Sequence, residues 1–165
     1  MLLAEFNQAD RADAEAALRP CLDIQRWIDE VVDARPFGSV AELQSAAAGA
    51  AQPFTADEVE AALAHHPRIG ERAAGSSAEA RFSQKEQQSL GEADAETMAA
   101  LAAGNVEYEK KFGQVFLIRA AGRSKPEILA ALQERLGHTP EQEEPIIQEQ
   151  LRQIALLRLE GVISE

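Results

Sequence analysis

The sequence predicts an all-α fold, built as a single bundle-like domain of roughly seven to nine helices. Alanine and leucine dominate an apolar fraction of 45% that includes only 5% aromatic residues, which favours helices packed through small side chains. Apolar residues recur at helical spacing, and serine or threonine followed three residues later by glutamate or glutamine precedes several of these runs. The length of 165 residues fits one domain over residues 1–165.

The first part of the chain contains a short N-terminal turn or helix and three longer predicted helices. Apolar periodicity predicts an amphipathic helix over residues 24–35. A capping box at 39–42 opens an alanine-rich helix that reaches about residue 51. A second capping box at 55–58 opens the helix that ends at His66.

The rest of the chain is a long loop followed by further helices. Proline, glycine and serine are frequent in residues 67–77, which have no apolar period and therefore predict a loop. Helices are expected from Ser83 to near Gly91, from 94 to 112, from 124 to 137 and from 139 to 161. The four apolar residues at 115–118 are too few to build a sheet, so we interpret them as a buried extended connector.

The net charge, the single cysteine and the absence of targeting signals indicate which partners the protein can bind and in which cell compartment it is expected. Sixteen basic residues against 28 acidic ones give a formal charge of -12, which argues against a nucleic-acid partner and against an anionic membrane surface. The single cysteine, Cys21, cannot form an intramolecular disulfide. Together with the lack of a basic leader, a long apolar run or a Ser-Lys-Leu tail, this predicts a soluble cytoplasmic protein.

His66 is the strongest candidate for proton transfer. The residue before a proline is disfavoured in α-helix, so His66 should lie at or just past the end of its helix, beside the loop that starts at Pro67. Its pKa near neutrality suits acid–base chemistry, although a helix C-terminal histidine favoured by the helix dipole remains an alternative. His65 points elsewhere, and with one cysteine and a distant His138 no metal-ligand spacing occurs, so no metal is predicted.

Four further polar residues have two interpretations each. Ser83 and Glu86 have capping-box spacing, which predicts a helix start at Ser83 that would also direct free amides at the loop after His66. Gln87 can donate and accept toward an amide-like ligand, or it lies on the surface. Arg158 shares a face with core residues of the last helix, so it binds either a substrate oxygen or an internal carboxylate.

Five short motifs occur in a characteristic order along the chain. They are His66-Pro67-Arg68-Ile69-Gly70, Ser83-x-x-Glu86-Gln87, Glu107 to Ile118, Gly122 to Leu129, and Leu157-Arg158-Leu159. The ordered set resembles the OHCU decarboxylases of urate breakdown, which act on 2-oxo-4-hydroxy-4-carboxy-5-ureidoimidazoline (OHCU). This resemblance spans nearly the whole chain. It implies an all-α fold, usually a homodimer, and cofactor-free conversion of OHCU to (S)-allantoin with loss of CO2.

The resemblance also implies roles for individual residues. His66 matches the family's catalytic histidine and Glu86 its partner carboxylate. The residues expected to bind substrate are Pro67, Ser83, Gln87, Arg158 and the connector residues Phe116, Leu117 and Ile118, which match a segment that lines the pocket and offers backbone hydrogen bonds. Our hypothesis is that His66, tuned by Glu86, moves the C4 hydroxyl proton of the substrate, while Arg158 and Gln87 bind its polar edge.

Two other functions remain open at this point. One is a non-catalytic helical interaction module that binds another protein through its acidic surface and alanine-rich helices. The other is a related decarboxylase or hydrolase that acts on a different ureido compound in the same pocket.

Overall fold

The computed structural model describes residues 1–71, 75–88, 91 and 94–165. Within these ranges the chain forms nine α-helices and no strand, with one isolated parallel bridge between Leu2 and Ser164, which confirms the all-α prediction. The helices are α1 (Leu3–Gln8), α2 (Arg11–Leu18), α3 (Gln25–Asp33), α4 (Val40–Gly49), α5 (Ala56–Leu63), α6 (Ala78–Gln88), α7 (Ala95–Phe112), α8 (Lys125–Leu136) and α9 (Pro140–Val162). None of them is long and apolar enough to cross a bilayer.

The chain divides into two compact units. The terminal unit comprises Met1–Ala62 with Arg152–Glu165, and the central unit comprises Leu63–Leu151. Each unit has buried apolar residues of its own. The expectation that residues 1–165 form one domain stays a prediction.

The terminal unit is held together around α3 and α4. Trp27 of α3 is buried and its indole Nε1 donates to Ala47 O of α4 over 2.9 Å. Arg152 caps the end of α4, because its Nη1 donates to Ala50 O at 2.6 Å and its guanidinium lies 4.1 Å from the centre of the Phe54 ring. Cys21 is buried as well, and burial raises the pKa of its thiol to about 12, which keeps it protonated and unreactive.

Most of the predicted helix starts are present. Thr55 accepts from the Glu58 amide at 3.1 Å and Glu58 accepts from the Thr55 amide at 2.8 Å, which is a complete capping box. Thr139 and Gln142 exchange the same pair of bonds at the start of α9. Ser39 accepts from the amide three residues on, as predicted for α4.

The predicted start of α6 is wrong. The helix begins at Ala78, and the Ser77 hydroxyl accepts from the Ala80 amide at 3.1 Å. Alanine and glutamate in the first turn are strong helix formers, so the helix starts one and a half turns earlier than the Ser83 pattern indicates. Ser83 is therefore a buried residue inside the helix, and its neighbouring amides are not free for a ligand.

The core of the central unit lies between α7, α8 and the connector. Gly113 ends α7 in the left-handed conformation, with φ of 72°, as its sequence position predicts. The chain then runs without helix through the three buried residues Phe116, Leu117 and Ile118. The structure confirms that the predicted connector is non-helical and that residues 116–118 are buried, whereas Val115 before them is half-buried.

Candidate functional site

The structure confirms the predicted position of His66. Helix α5 ends at Leu63, and the His66 amide donates to Leu63 O at 3.1 Å in the turn that follows. His66 and Pro67 are half-buried. The next four residues, which we name loop 68–71, contain the buried Ile69 and the glycine Gly70, whose φ of 92° requires a residue without a side chain.

Gln87 of α6 holds loop 68–71 through both ends of its side-chain amide. Its Oε1 accepts from the Gly70 amide at 3.0 Å, and its Nε2 donates to Glu71 O at 2.9 Å and to Arg68 O at 3.3 Å. A glutamine amide has two N–H donors and two acceptor lone pairs. Within the part of the chain that the structure describes, both donors of Gln87 are engaged and its Oε1 accepts one hydrogen bond.

Helix α7 holds the same loop from a second direction. The Asn105 amide, which is buried, donates to Ile69 O at 3.0 Å. Arg68 binds Glu109 through two nitrogens, with Nη2 and Oε2 separated by 2.9 Å. The hydrogen bond and charge of Arg68 lower the pKa of the Glu109 carboxyl, but both side chains are solvent-accessible, so the pair contributes little to stability.

Three of the predicted site residues share one face of α6. Ser83, Glu86 and Gln87 are spaced i, i+3 and i+4, which places them side by side on a helix. Ser83 is buried, and Glu86 and Gln87 are half-buried. Because Gln87 is bonded to loop 68–71, the structure brings this face against the segment that begins two residues after His66.

An open cavity of about 330 Å³ lies beside the same loop. Its wall combines polar and apolar surface in similar amounts and consists of Gly70, Glu71, Gln84, Gln87, Gln88, Gly91, Met98 and Lys125. This volume is within the range of small-molecule sites, and amide, acidic and basic groups suit a small polar ligand.

The connector is anchored by a residue that the sequence analysis missed. Leu117 O accepts a hydrogen bond of 2.6 Å from Nη1 of Arg135, and Arg135 in turn binds Glu143. A signal for Arg135 was present, because it lies at i+7 and i+3 from Ile128 and Leu132 and so continues the apolar face of α8. An arginine in that position is buried and needs a partner.

Arg158 belongs to the terminal unit, near the C-terminal end of α9. The prediction that it faces the core is confirmed, because only 5% of the residue is exposed. Its Nη1 donates to Pro20 O at 3.1 Å. The expected contact with substrate stays a prediction.

Comparison with known proteins gives a consistent family assignment. Residues 7–160 match the family model described as OHCU decarboxylase. The chain is 29% identical over 161 residues to the 2-oxo-4-hydroxy-4-carboxy-5-ureidoimidazoline decarboxylase of Haloferax volcanii, an alignment that covers 96% of this chain and 94% of the relative. It is also 29% identical over 166 residues to the protein of the same name from Halalkalicoccus jeotgali, with coverage of 97% and 90%.

A solved structure agrees with the sequence relatives. A crystal structure of OHCU decarboxylase in the presence of (S)-allantoin superposes with a TM-score of 0.72 and 26% identity, covering 87% of this chain and 94% of that one. The chain therefore belongs to the OHCU decarboxylase family. Members of this family are carboxy-lyases of urate degradation, so the chain is an enzyme and the interaction module loses its support.

Proposed function

We propose that this enzyme converts OHCU to (S)-allantoin and CO2 without a cofactor. The observation that carries the proposal is the double attachment of loop 68–71 to Gln87 and Asn105. It fixes the chain directly after His66, next to the α6 face with the other candidate residues. A substrate that accepts the electrons of the broken bond in its own C5=N unit needs no cofactor, so the enzyme has mainly to hold the substrate and the catalytic groups in fixed positions.

The chemistry asks for orientation and proton transfer. When the C4 carboxylate leaves as CO2, the electron pair of the broken bond forms a C4=C5 double bond, the π pair of C5=N moves to the nitrogen, and this nitrogen takes up a proton. The product of this step is an enol with its hydroxyl on C4. Loss of the hydroxyl proton and protonation of C5 on one face then give (S)-allantoin, with a net uptake of one proton.

The proposed roles follow the resemblance and the contacts together. His66 takes the C4 hydroxyl proton, and Glu86 orients the imidazole and tunes its basicity. Gln87 accepts a hydrogen bond from a ureido N–H, because its two N–H donors are bonded to loop 68–71 and an amide oxygen can accept a second hydrogen bond beside that of Gly70. Ser83 and Pro67 line the same side of the substrate.

The resemblance adds the connector and Arg158 to the residues proposed to bind substrate. The connector Phe116, Leu117 and Ile118 offers backbone groups to the ureidoimidazoline ring, and Leu117 O already accepts one bond from Arg135. Arg158 binds a carboxylate or ureido oxygen through its planar guanidinium. This last assignment rests on the resemblance.

We also propose that the protein is a cytoplasmic homodimer. A molecular mass of twice the chain mass in sedimentation equilibrium would support the dimer.

The test measures which enantiomer of allantoin forms. Urate oxidase and a hydroxyisourate hydrolase generate OHCU in place, and circular dichroism follows the product with and without this protein. Rapid formation of (S)-allantoin only in its presence is the expected result. Racemic allantoin at an unchanged rate would contradict the proposal.

The role of His66 is tested with its neighbour as the control. His66→Ala should lower kcat by about 10²- to 10⁴-fold, the usual contribution of a general acid–base group. His65→Ala removes an exposed imidazole from the adjacent position and should keep kcat within about twofold. Full activity in a folded His66→Ala protein would refute the assignment.

A further inference from the structure

The connector has an unusual need for hydrogen-bond partners. A buried backbone carbonyl must accept a hydrogen bond from some donor, and within the described residues no strand pairs with this segment to supply one. Leu117 O obtains its partner from a side chain, because Arg135 Nη1 donates to it at 2.6 Å. The position of the connector therefore depends on where the Arg135 guanidinium is held.

The Arg135 guanidinium is held on two sides. Its Nε donates to Glu143 Oε1 at 2.9 Å, and its Cζ lies 4.5 Å from the centre of the Phe116 ring and 5.7 Å from that of Tyr108. The residue is 5% exposed. Its Nη2 has no acceptor among the described residues, so Nε and Nη1 carry all of its recorded hydrogen bonds.

Glu143 is itself fixed as an anion. Tyr108 donates its hydroxyl to Oε1 at 2.6 Å, and Nδ1 of His138 lies 2.9 Å from Oε2. Burial alone would raise the pKa of Glu143, but the hydrogen bonds of Tyr108 and His138 and the charge of Arg135 outweigh it and leave that pKa below its usual value. Glu143 is thus ionised at neutral pH and keeps Arg135 oriented.

From this chain of contacts we infer that Arg135 is a positioning residue for decarboxylation. It sets the place of the connector through Leu117 O, while Glu143 sets the place of Arg135. The inference rests on the proposed function, in which the backbone of the connector binds the substrate. Since a shift of this backbone weakens contacts made in both ground and transition state, its main effect is on KM.

Arg152 in the terminal unit provides a matched control. It is also a buried arginine that donates to backbone carbonyls and lies over an aromatic ring. Its carbonyl partners, however, belong to the end of α4 and the residues after it. A lysine in place of either arginine keeps the charge and loses the planar fork, so both variants should lose stability.

The experiment compares Arg135→Lys and Arg152→Lys with the wild-type protein. We measure KM and kcat for OHCU generated in place, and thermal unfolding by circular dichroism. Arg135→Lys should raise KM about tenfold with kcat within about threefold, which corresponds to one lost interaction of typical strength. Arg152→Lys should lower the unfolding temperature and leave KM within about twofold.

A second variant covers the case that Arg135→Lys does not fold. Tyr108→Phe keeps the ring and removes only the hydroxyl that binds Glu143. It should raise KM by about two- to fivefold. An unchanged KM in whichever of Arg135→Lys and Tyr108→Phe folds would overturn the inference.

The remaining outcomes also decide between explanations. A KM increase in Arg152→Lys as large as that in Arg135→Lys would show a general effect of lost stability and would overturn the inference. Failure of the proposed function has a different signature, because the wild-type protein itself would then give no excess of (S)-allantoin. If the wild-type protein is active, the KM values of the variants alone decide whether Arg135 is a positioning residue.

Discussion

Replacement of Gln87 by methionine should release loop 68–71 while keeping the size of the side chain. The substitution removes the three hydrogen bonds that join α6 to Gly70, Glu71 and Arg68. Since this loop follows His66 directly, its release should disturb the proposed proton-transfer group without removing it.

The magnitude follows from the number of bonds and their exposure. A neutral hydrogen bond contributes about 1 kcal/mol net, so three bonds give about 3 kcal/mol as an upper value. Gln87 is half-buried, and water replaces part of what is lost. We therefore expect the free energy of opening the loop to fall by about 1 to 2 kcal/mol, which is a factor of about 5 to 30 in the open population.

Hydrogen exchange of the Gly70 amide, followed by NMR, measures this opening directly. The Gly70 N–H donates to Gln87, so its exchange should accelerate about 5- to 30-fold in Gln87→Met. Gln87→Glu keeps an acceptor for Gly70 but loses both donors, so it should retain more of this protection. Lys85→Met replaces an exposed residue of the same helix that is not among the residues of the cavity wall named above, and it serves as the control.

Activity distinguishes loop anchoring from direct substrate contact. In Gln87→Met both effects combine, and kcat/KM should fall by at least about tenfold. If the Gly70 amide exchanges at the wild-type rate in a folded Gln87→Met protein, the loop is held by other contacts and the reasoning fails. Lys85→Met should leave both the exchange rate of the Gly70 amide and kcat/KM near the wild-type values.

Two further predictions concern stability. Gly104→Ala places a Cβ 2.5 Å from Leu132 Cδ2 in the contact of α7 with α8, so it should lower the free energy of unfolding in urea by about 1 to 3 kcal/mol. Gly49→Ala is the control, because its Cβ would have no atom within 4 Å, and it should be neutral or stabilising. A stability loss for Gly49→Ala equal to that for Gly104→Ala would contradict this. Glu143→Gln should cost about 3 to 5 kcal/mol at pH 7, because it breaks a buried ion pair, and exposed Glu144→Gln should cost little. Folding lowers the pKa of Glu143, so this residue stabilises the folded protein above its unfolded pKa of about 4.3, and the stabilisation is lost as pH falls through the lower folded pKa. The difference in unfolding free energy between wild type and Glu143→Gln should therefore shrink in acid. A difference that stays constant from pH 7 to pH 3 would refute this prediction.

Local sequence patterns predicted most of the helices and their ends. The capping boxes at 55–58 and 139–142, the glycine stop at Gly113 and the connector at 115–118 all depend on residues within one or two turns of each other. The error at Ser83 has the same origin, because a second possible N-cap, Ser77, lies six residues earlier and is the one that the helix uses. Ser77 lacks the glutamate or glutamine of a capping box, but residues 78–81 are two alanines, a glutamate and an arginine, whose helix propensity extends the helix back to Ser77.

The sequence by itself also determined the family and the positions of the candidate residues, since their order along the chain is characteristic. Only the tertiary structure decided which groups these side chains meet. Gln87 reaches a loop 16 to 19 residues earlier, and Arg135 reaches the connector 18 residues earlier. No helical period or capping pattern relates residues so far apart, because their contact depends on how α6, α7 and α8 pack. Hydrogen bonds that need such packing become visible only once the chain has folded.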